Sequence, residues 1–384
     1  MARFLIVVLP LTGHLNAALA LGQALVQGGH DVAWCGPESD LRPLVGPQAR
    51  IYPTGKRYYR QHGGTGIEAA RALWTGYLIP LNRFILEPAD AAVVDYRPDV
   101  VVVDQYAVAG ALAAHRHGVR WASLCTGAME LTPPSWELPG HQEWVTEQLA
   151  RVWAMAGLPV DESIDLRFSP YLVLALTSPA LVGAAPLPPQ CRLVGPILGS
   201  RPNDPGFAWQ DWDVERRHVL VTVGTLADHL AREFYPRIVA ALDLLADRVQ
   251  AVVVAPTATV AGSAGRLLVA ERVPMLELLP RLDAVVCHGG MGTVTEALAH
   301  GVPLVVAPIR FDQPALAVQV ADAGAGIAVP FASAGAGELA AALTAVLDEP
   351  GYRAAAHRVA DSFAAAGGAV AAVALLAELA SDIG

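Results

Sequence analysis

Short unbroken apolar runs alternate with stretches of helical periodicity along most of this chain. Phe4–Leu9 is continuously apolar, the pattern of a strand covered on both faces of a parallel sheet. After the turn Pro10–His14, residues Leu15, Ala18, Leu19, Gly22, Leu25 and Val26 recur at helical spacing, and Gly28-Gly29 stops that helix. Asp31–Cys35 reads as the next strand. Val100–Val103 followed by Ala107–His117 repeats the strand–helix unit, so the N-terminal half is α/β with a parallel sheet. The prolines at 186, 188, 189, 196, 202 and 205 break the rhythm, and an interdomain linker is placed at about Pro196–Arg216. A second α/β series starts at His218, with apolar runs at Val219–Val223, Ala251–Ala255, Leu267–Ala270, Ala284–Cys287 and Leu304–Ala307. From about Tyr352 to Ser381 the chain reads as helical and alanine-rich, interrupted at Gly367-Gly368.

The pattern predicts two Rossmann-like, doubly wound α/β domains. Residues 1–200 form the first and 201–364 the second, and a C-terminal helix at 365–384 packs back on the first. All eight tryptophans lie at or before Trp212, so the second domain is expected to have none. A chain of 384 residues suits two domains. With 54% hydrophobic and 16% charged residues it is not a disordered chain. No apolar run reaches the roughly 20 residues of a membrane helix, and Phe4–Leu11 lacks the flanks of a signal peptide. The expectation is a soluble cytoplasmic protein, monomeric or homodimeric, with no membrane span. The net charge of -10 argues against a nucleic-acid partner. The four cysteines are scattered, which excludes a zinc pattern and favours buried thiols.

The candidate chemistry falls at strand ends, where open parallel sheets bind ligands. Cys287 closes a strand, and His288-Gly289-Gly290-Met291-Gly292-Thr293 leads into a helix that Gly301 stops. Glycines allow close backbone approach, and a helix start offers free amides with partial positive charge. That suits a diphosphate, although a tight β–α turn needs the same glycines. His14 follows the first strand on a loop, and Asp104 follows Val100–Val103. Parallel strands bring both to one sheet edge, where a carboxylate fixes an imidazole's tautomer and raises its basicity.

The wider pattern resembles the donor signature of family 1 glycosyltransferases with the GT-B fold, which include bacterial natural-product and plant enzymes. It comprises His288 to Glu296, with Ser/Thr five residues after the His, and then Pro308-Ile309-Arg310-Phe311-Asp312-Gln313. The opening loop Pro10-Leu11-Thr12-Gly13-His14 matches too, so the likeness spans nearly the whole chain. The resemblance implies two domains facing across a cleft, the acceptor in the first and the donor in the second. It assigns His288 and the amides of Gly290, Met291, Gly292 and Thr293 to the diphosphate, with the Thr293 hydroxyl adding a contact. Glu296 goes to the ribose, unless it merely sits on a solvated helix face. Asp312 and Gln313 go to the sugar, and Gly13, Gly224 and Thr225 to loops around the donor. Plant members stack a tryptophan on the base. Here that stretch is Arg272-Val273-Pro274-Met275, so Val273 meets the base and uracil against thymine stays open.

By the same resemblance His14 is the general base and Asp104 its orienting partner, in an inverting, metal-independent transfer from a UDP- or TDP-sugar to a hydroxyl of a small hydrophobic or aromatic acceptor. C- or N-transfer remains an alternative. The nucleotide-sugar is a co-substrate, and no cofactor or metal is expected. Asp211-Trp212-Asp213 matches the D-x-D of metal-dependent transferases but falls in the linker and ends no strand. Acceptor-lining candidates are Tyr58, Trp74, Tyr77, Met129 and Trp136. Tyr59, Phe84, Trp144, Trp153 and Met155 lie in the same two stretches, and helix packing accounts for at least half of all of them. The basic stretch Lys56–His62 meets an acidic acceptor or is simply solvated. Rival classes are a dehydrogenase, which lacks its G-x-G-x-x-G, a nucleotide-sugar epimerase, and a non-catalytic donor-binding helper.

Overall fold

The computed structural model describes residues 1–57, 66–126, 131, 140–184, 186–199, 201, 205–224, 228–256, 260 and 267–382. The chain divides into two compact units. One comprises Met1–Thr177, Pro186–Pro202 and Ala366–Gly384, and the other Ser178–Ala185 and Asn203–Ala365.

The first unit holds β1 (Arg3–Val7), β2 (Asp31–Gly36), β3 (Arg50–Pro53), β4 (Val100–Asp104), β5 (Arg120–Cys125), β6 (Leu172–Ala175) and β7 (Cys191–Leu193). They form one parallel sheet in the order β3-β2-β1-β4-β5-β6-β7. Its central strands β1 and β4 are apolar up to their ends because both faces are covered. Leu5, Val7, Val101 and Val103 face helices Ile79–Tyr96 and Val108–Arg116. Phe4, Ile6, Val100 and Val102 share a second core with Leu15, Leu21 and Leu25 of helix Thr12–Gln27, and with Ala372, Leu376 and Leu379 of the last helix, Gly368–Ser381.

The second unit holds β8 (Arg217–Thr222), β9 (Val249–Val254), β10 (Leu267–Ala270), β11 (Ala284–Cys287), β12 (Leu304–Val306) and β13 (Gly326–Ala328). They too form a parallel sheet, in the order β10-β9-β8-β11-β12-β13. In each sheet the strand order reverses once near the middle, between β1 and β4 and between β8 and β11. The carboxyl ends at such a reversal splay apart and leave a crevice for ligands.

Several details differ from expectation. Trp209 and Trp212 belong to the second unit. They pack with Phe207 edge to face, and Trp212 stacks on His218 at 3.8 Å. The proline-rich stretch contains β7, and Ser178–Ala185 joins the second unit. Asp211 and Asp213 also lie in the second unit, at the amino end of β8. Asp213 pairs with Arg216 at 2.8 Å and accepts the Glu215 amide, so it closes a turn. The C-terminal segment Pro350–Ser381 is long and apolar enough, by length and composition, to cross a membrane. It is two helices, however, broken where Gly367 and Gly368 both take positive φ.

Candidate active site

At the reversal in the first sheet, His14 and Asp104 meet. The helix Thr12–Gln27 begins earlier than the sequence implies, so His14 lies in its first turn and not on a loop. Its N-cap, Leu11, makes no side-chain bond, which is why no capping signal marked the start. His14 Nδ1 is 2.6 Å from Asp104 Oδ2. Asp104 is 1% exposed, at the last position of β4. Its Oδ1 accepts the Tyr106 amide at 3.0 Å, so both oxygens are used and the carboxylate is held. A buried acceptor of this kind fixes Nδ1 as the protonated nitrogen and leaves basicity on Nε2.

Two further residues adjoin the pair. The Thr126 hydroxyl lies 2.9 Å from the same His14 nitrogen, just past the end of β5. Half-buried Tyr106 places its ring 5.7 Å from the His14 ring, and Trp74 meets Tyr106 edge to face at 6.0 Å. The strand-end rule that singled out Asp104 also reaches Thr126. Tyr106 has no signal of its own beyond following Asp104.

Trp74 and Tyr77 sit in a π-helical turn, Trp74–Leu78, and are 2% and 1% exposed. They pack in the core beside the pair rather than presenting free faces. Burial, with the negative charge of Asp104 adding to it, raises the Tyr77 pKa well above the usual phenol range. Trp153 is also core, its indole donating to Pro159 O, while Phe84 is exposed. Tyr58, Tyr59, Met129 and Trp136 lie outside the described residues, as does Thr225. Lys56 pairs with Asp40 at 2.6 Å, and Arg57 donates to Gly76 O in the π turn, so the basic stretch begins with tied charges. Gly13, in the same helix turn as His14, is exposed with open space at its Cβ position.

At the reversal in the second sheet the focus is His288. A Cβ at Gly224 would stand 2.5 Å from its ring, and one at Gly290 2.7 Å from its Nε2. Gly224 also has φ +74, so glycine is required there twice over. The helix Met291–Ala299 has Gly290 as N-cap with no side-chain bond, and its first internal bond runs from Val294 N–H to Gly290 O. The amides of Met291, Gly292 and Thr293 precede that bond at the positive end of the helix. His288 Nδ1 is buried without a hydrogen-bond partner among the described residues. Burial first, and the nearby Arg310 charge second, push the His288 pKa down to about 4, so the ring is neutral at pH 7.

The 308–313 loop closes this edge. Arg310 is 3% exposed, its guanidinium stacked 5.1 Å over Phe311. Phe311 takes φ +60, a strained conformation for a bulky side chain, and such strain clusters at functional sites. Gln313 Oε1 accepts the amides of Ile309 and Arg310, both at 2.9 Å. Gln313 thus holds the loop with its side-chain oxygen, which leaves its amide nitrogen as the group for a sugar. Asp312 is half-buried at the N-cap of helix Gln313–Asp322. Glu296 is 8% exposed, so it is not on a solvated helix face. Val273 is buried among Val252 and Leu278. Arg310 lay inside the quoted motif, but its burial beside His288 could not be read there. Among the described residues, no three acidic, His or Cys side chains converge as a metal set.

Known proteins resemble this chain in sequence and in fold. Residues 242–379 match the family model of the erythromycin biosynthesis protein CIII-like C-terminal domain. The 4'-demethylrebeccamycin synthase of Lentzea aerocolonigenes is 30% identical, over 98% of this chain and 99% of that protein. The elloramycin glycosyltransferase ElmGT of Streptomyces olivaceus is 32% identical, over 72% of this chain and 67% of that one. The crystal structure of the glycosyltransferase VinC in complex with dTDP superposes with a TM-score of 0.76 at 19% identity, over 99% of this chain and 100% of that one, which shows the fold. The dehydrogenase and epimerase alternatives lapse, and the chain belongs to the natural-product glycosyltransferases of the GT-B fold.

Proposed function

We propose that this glycosyltransferase moves a sugar from a thymidine- or uridine-diphosphate donor to a hydroxyl of a small hydrophobic acceptor, with inversion and without a metal. The observation that carries the reading is the 2.6 Å contact between His14 and the fully engaged Asp104. His14 Nε2 takes the acceptor proton as the acceptor oxygen bonds to the anomeric carbon. The bond from that carbon to the diphosphate oxygen breaks on the opposite side, and the electron pair leaves with the nucleotide. Asp104 stabilises the imidazolium that forms. The half-buried Tyr106 ring beside His14 favours a flat or apolar acceptor.

In the second unit, the amides at the start of helix Met291–Ala299, His288 and buried Arg310 receive the diphosphate charge and stabilise its departure. Glu296 holds the ribose, Val273 the base, and Asp312 with the Gln313 amide nitrogen the sugar. Gly13, in the first turn of helix Thr12–Gln27, and Thr225 are assigned to the donor as well. VinC binding dTDP makes TDP the first nucleotide to test.

The experiment is a mass-spectrometric screen of TDP- and UDP-glucose against aromatic and macrocyclic alcohols, with and without EDTA. The product's anomeric configuration is read by NMR. Transfer with inversion, unchanged by EDTA and lost in His14→Ala while TDP still binds, supports the reading. Full transfer by His14→Ala, or retention of configuration, overturns it.

A further inference from the structure

Asn82 lies in helix Ile79–Tyr96 and is 1% exposed. A primary amide buried this deeply destabilises the fold unless its polar atoms are paired. Here they are. Its Nδ2 donates to Leu78 O, one helical turn back, and to Tyr106 O, each at 2.9 Å. Its Oδ1 accepts the Ala109 amide, also at 2.9 Å. The flanking core positions of the same helix, Leu81 and Ile85, are apolar, so packing alone does not call for an amide here.

The partners give the amide its meaning. Ala109 is the second residue of helix Val108–Arg116, and the N-cap residue of that helix, Ala107, makes no side-chain bond. The acceptor that a capping Ser or Asp would supply locally comes instead from Asn82, 27 positions earlier. Tyr106 and Ala109 are the two points where Asn82 grips the turn leaving β4. Within that turn Asp104 O accepts the Ala107 amide at 2.7 Å, and Asp104 Oδ1 accepts the Tyr106 amide. The line of bonds therefore runs from Asn82 to Tyr106, from Tyr106 to the Asp104 carboxylate, and from Asp104 to His14. The π turn just before Asn82 supports the same place, because Trp74 packs edge to face on Tyr106.

We propose that Asn82 is a positioning residue for the Asp104–His14 pair. It fixes the 104–109 turn so that the carboxylate meets Nδ1 and selects the tautomer with a basic Nε2. This rests on the reading of His14 as base and Asp104 as its orienting partner.

The test uses Asn82→Leu, which removes all three bonds at similar volume, and Asn82→Ser as a second variant should the first not fold. Circular dichroism identifies the folded variant. Nitrogen-15 shifts of the His14 ring, assigned by their loss in His14→Ala, report its tautomer without any need for substrate. In the folded variant the ring is expected to leave the Nδ1–H form for a mixture, as in Asp104→Asn. The kcat for transfer from TDP-glucose falls at least tenfold, and TDP affinity stays within twofold. A folded variant with the wild-type tautomer and kcat overturns the inference. If His14→Ala itself retains transfer, the base assignment has failed, and the tautomer measurement still decides whether Asn82 places Asp104.

Discussion

At the ends of β1 and β4 in the first sheet the His14–Asp104 pair is held by protein groups. Asp104 engages His14 and the Tyr106 amide, and Asn82 secures the turn behind it. At the matching edge of the second sheet the central ring is not. His288 Nδ1 has no partner among the described residues, glycines crowd the ring, and the first-turn amides of helix Met291–Ala299 stand ahead of its first internal bond. On the proposed function, the same topological reversal supports two kinds of site. A general base has to hold its geometry before the acceptor arrives, so its partners are protein groups. A phosphate cradle has to receive charge from outside, and here helix-start amides ahead of the first internal bond stand near a buried cation, Arg310.

The largest effect expected from breaking this contrast is on the first edge. Asp104→Asn leaves the ring without its charged partner, and kcat should fall by about 10²–10⁴-fold. Because the cradle is built from other residues, TDP affinity by calorimetry should not change. A matched loss of TDP affinity would show that the two edges are not separable. Next comes Gly224→Ala. Its Cβ would sit 2.5 Å from the His288 ring at φ +74. Strain and overpacking of about 1–3 kcal/mol follow, enough to weaken TDP binding about 5- to 150-fold, while the kcat of the donor-saturated enzyme should persist. Unaltered binding would mean that the ring's position is not what the cradle requires.

How far each edge was legible follows from the same contrast. β1, β4 and β11 are covered on both faces, so continuous apolar runs marked them, and their last residues led to His14, Asp104 and His288. The turn after β11 is a contiguous motif and was readable as one. β7 has only three residues, with Arg192 at its centre, among prolines. The supports of the pair were not readable because they act across the fold. Asn82 caps a helix 27 positions on, and Thr126 reaches His14 over 112 positions. No local periodicity encodes such contacts. Trp74 and Tyr77 were legible only as large and apolar, which does not distinguish a pocket wall from a core. Gln313 was legible as part of a motif, but its bonds to Ile309 and Arg310 depend on the strained bend at Phe311.

That bend supports a third prediction. Gln313→Leu leaves the Ile309 and Arg310 amides unpaired, and each buried donor so stranded costs about 1–3 kcal/mol. The melting temperature should drop, and TDP affinity should drop with it as Arg310 loses its seat. A variant that melts normally and binds TDP normally would remove Gln313 from the support of the cradle.

The smallest effect is the most specific, because it reads the unmatched ring directly. Burial lowers the His288 pKa from 6.5 to about 4. Between those values the unfolded imidazole carries a proton that the folded one lacks, so protons favour unfolding there. The contribution of His288 to stability is therefore fully present above pH 6.5 and is lost as pH falls toward 4. A diphosphate at the ring reverses the sign. Its negative charge favours the imidazolium, so the bound-state pKa rises and binding takes up a proton within the same window. TDP affinity should then increase as pH falls through that range, apart from the phosphate's own titration. Comparing wild type with His288→Asn removes that common contribution. Calorimetry in two buffers of different ionisation enthalpy should show proton uptake that is larger for wild type below pH 6.5 and equal for the two proteins above it. Equal uptake at every pH would place the diphosphate away from His288, and the second edge would then no longer differ from the first in the way its central histidine is used.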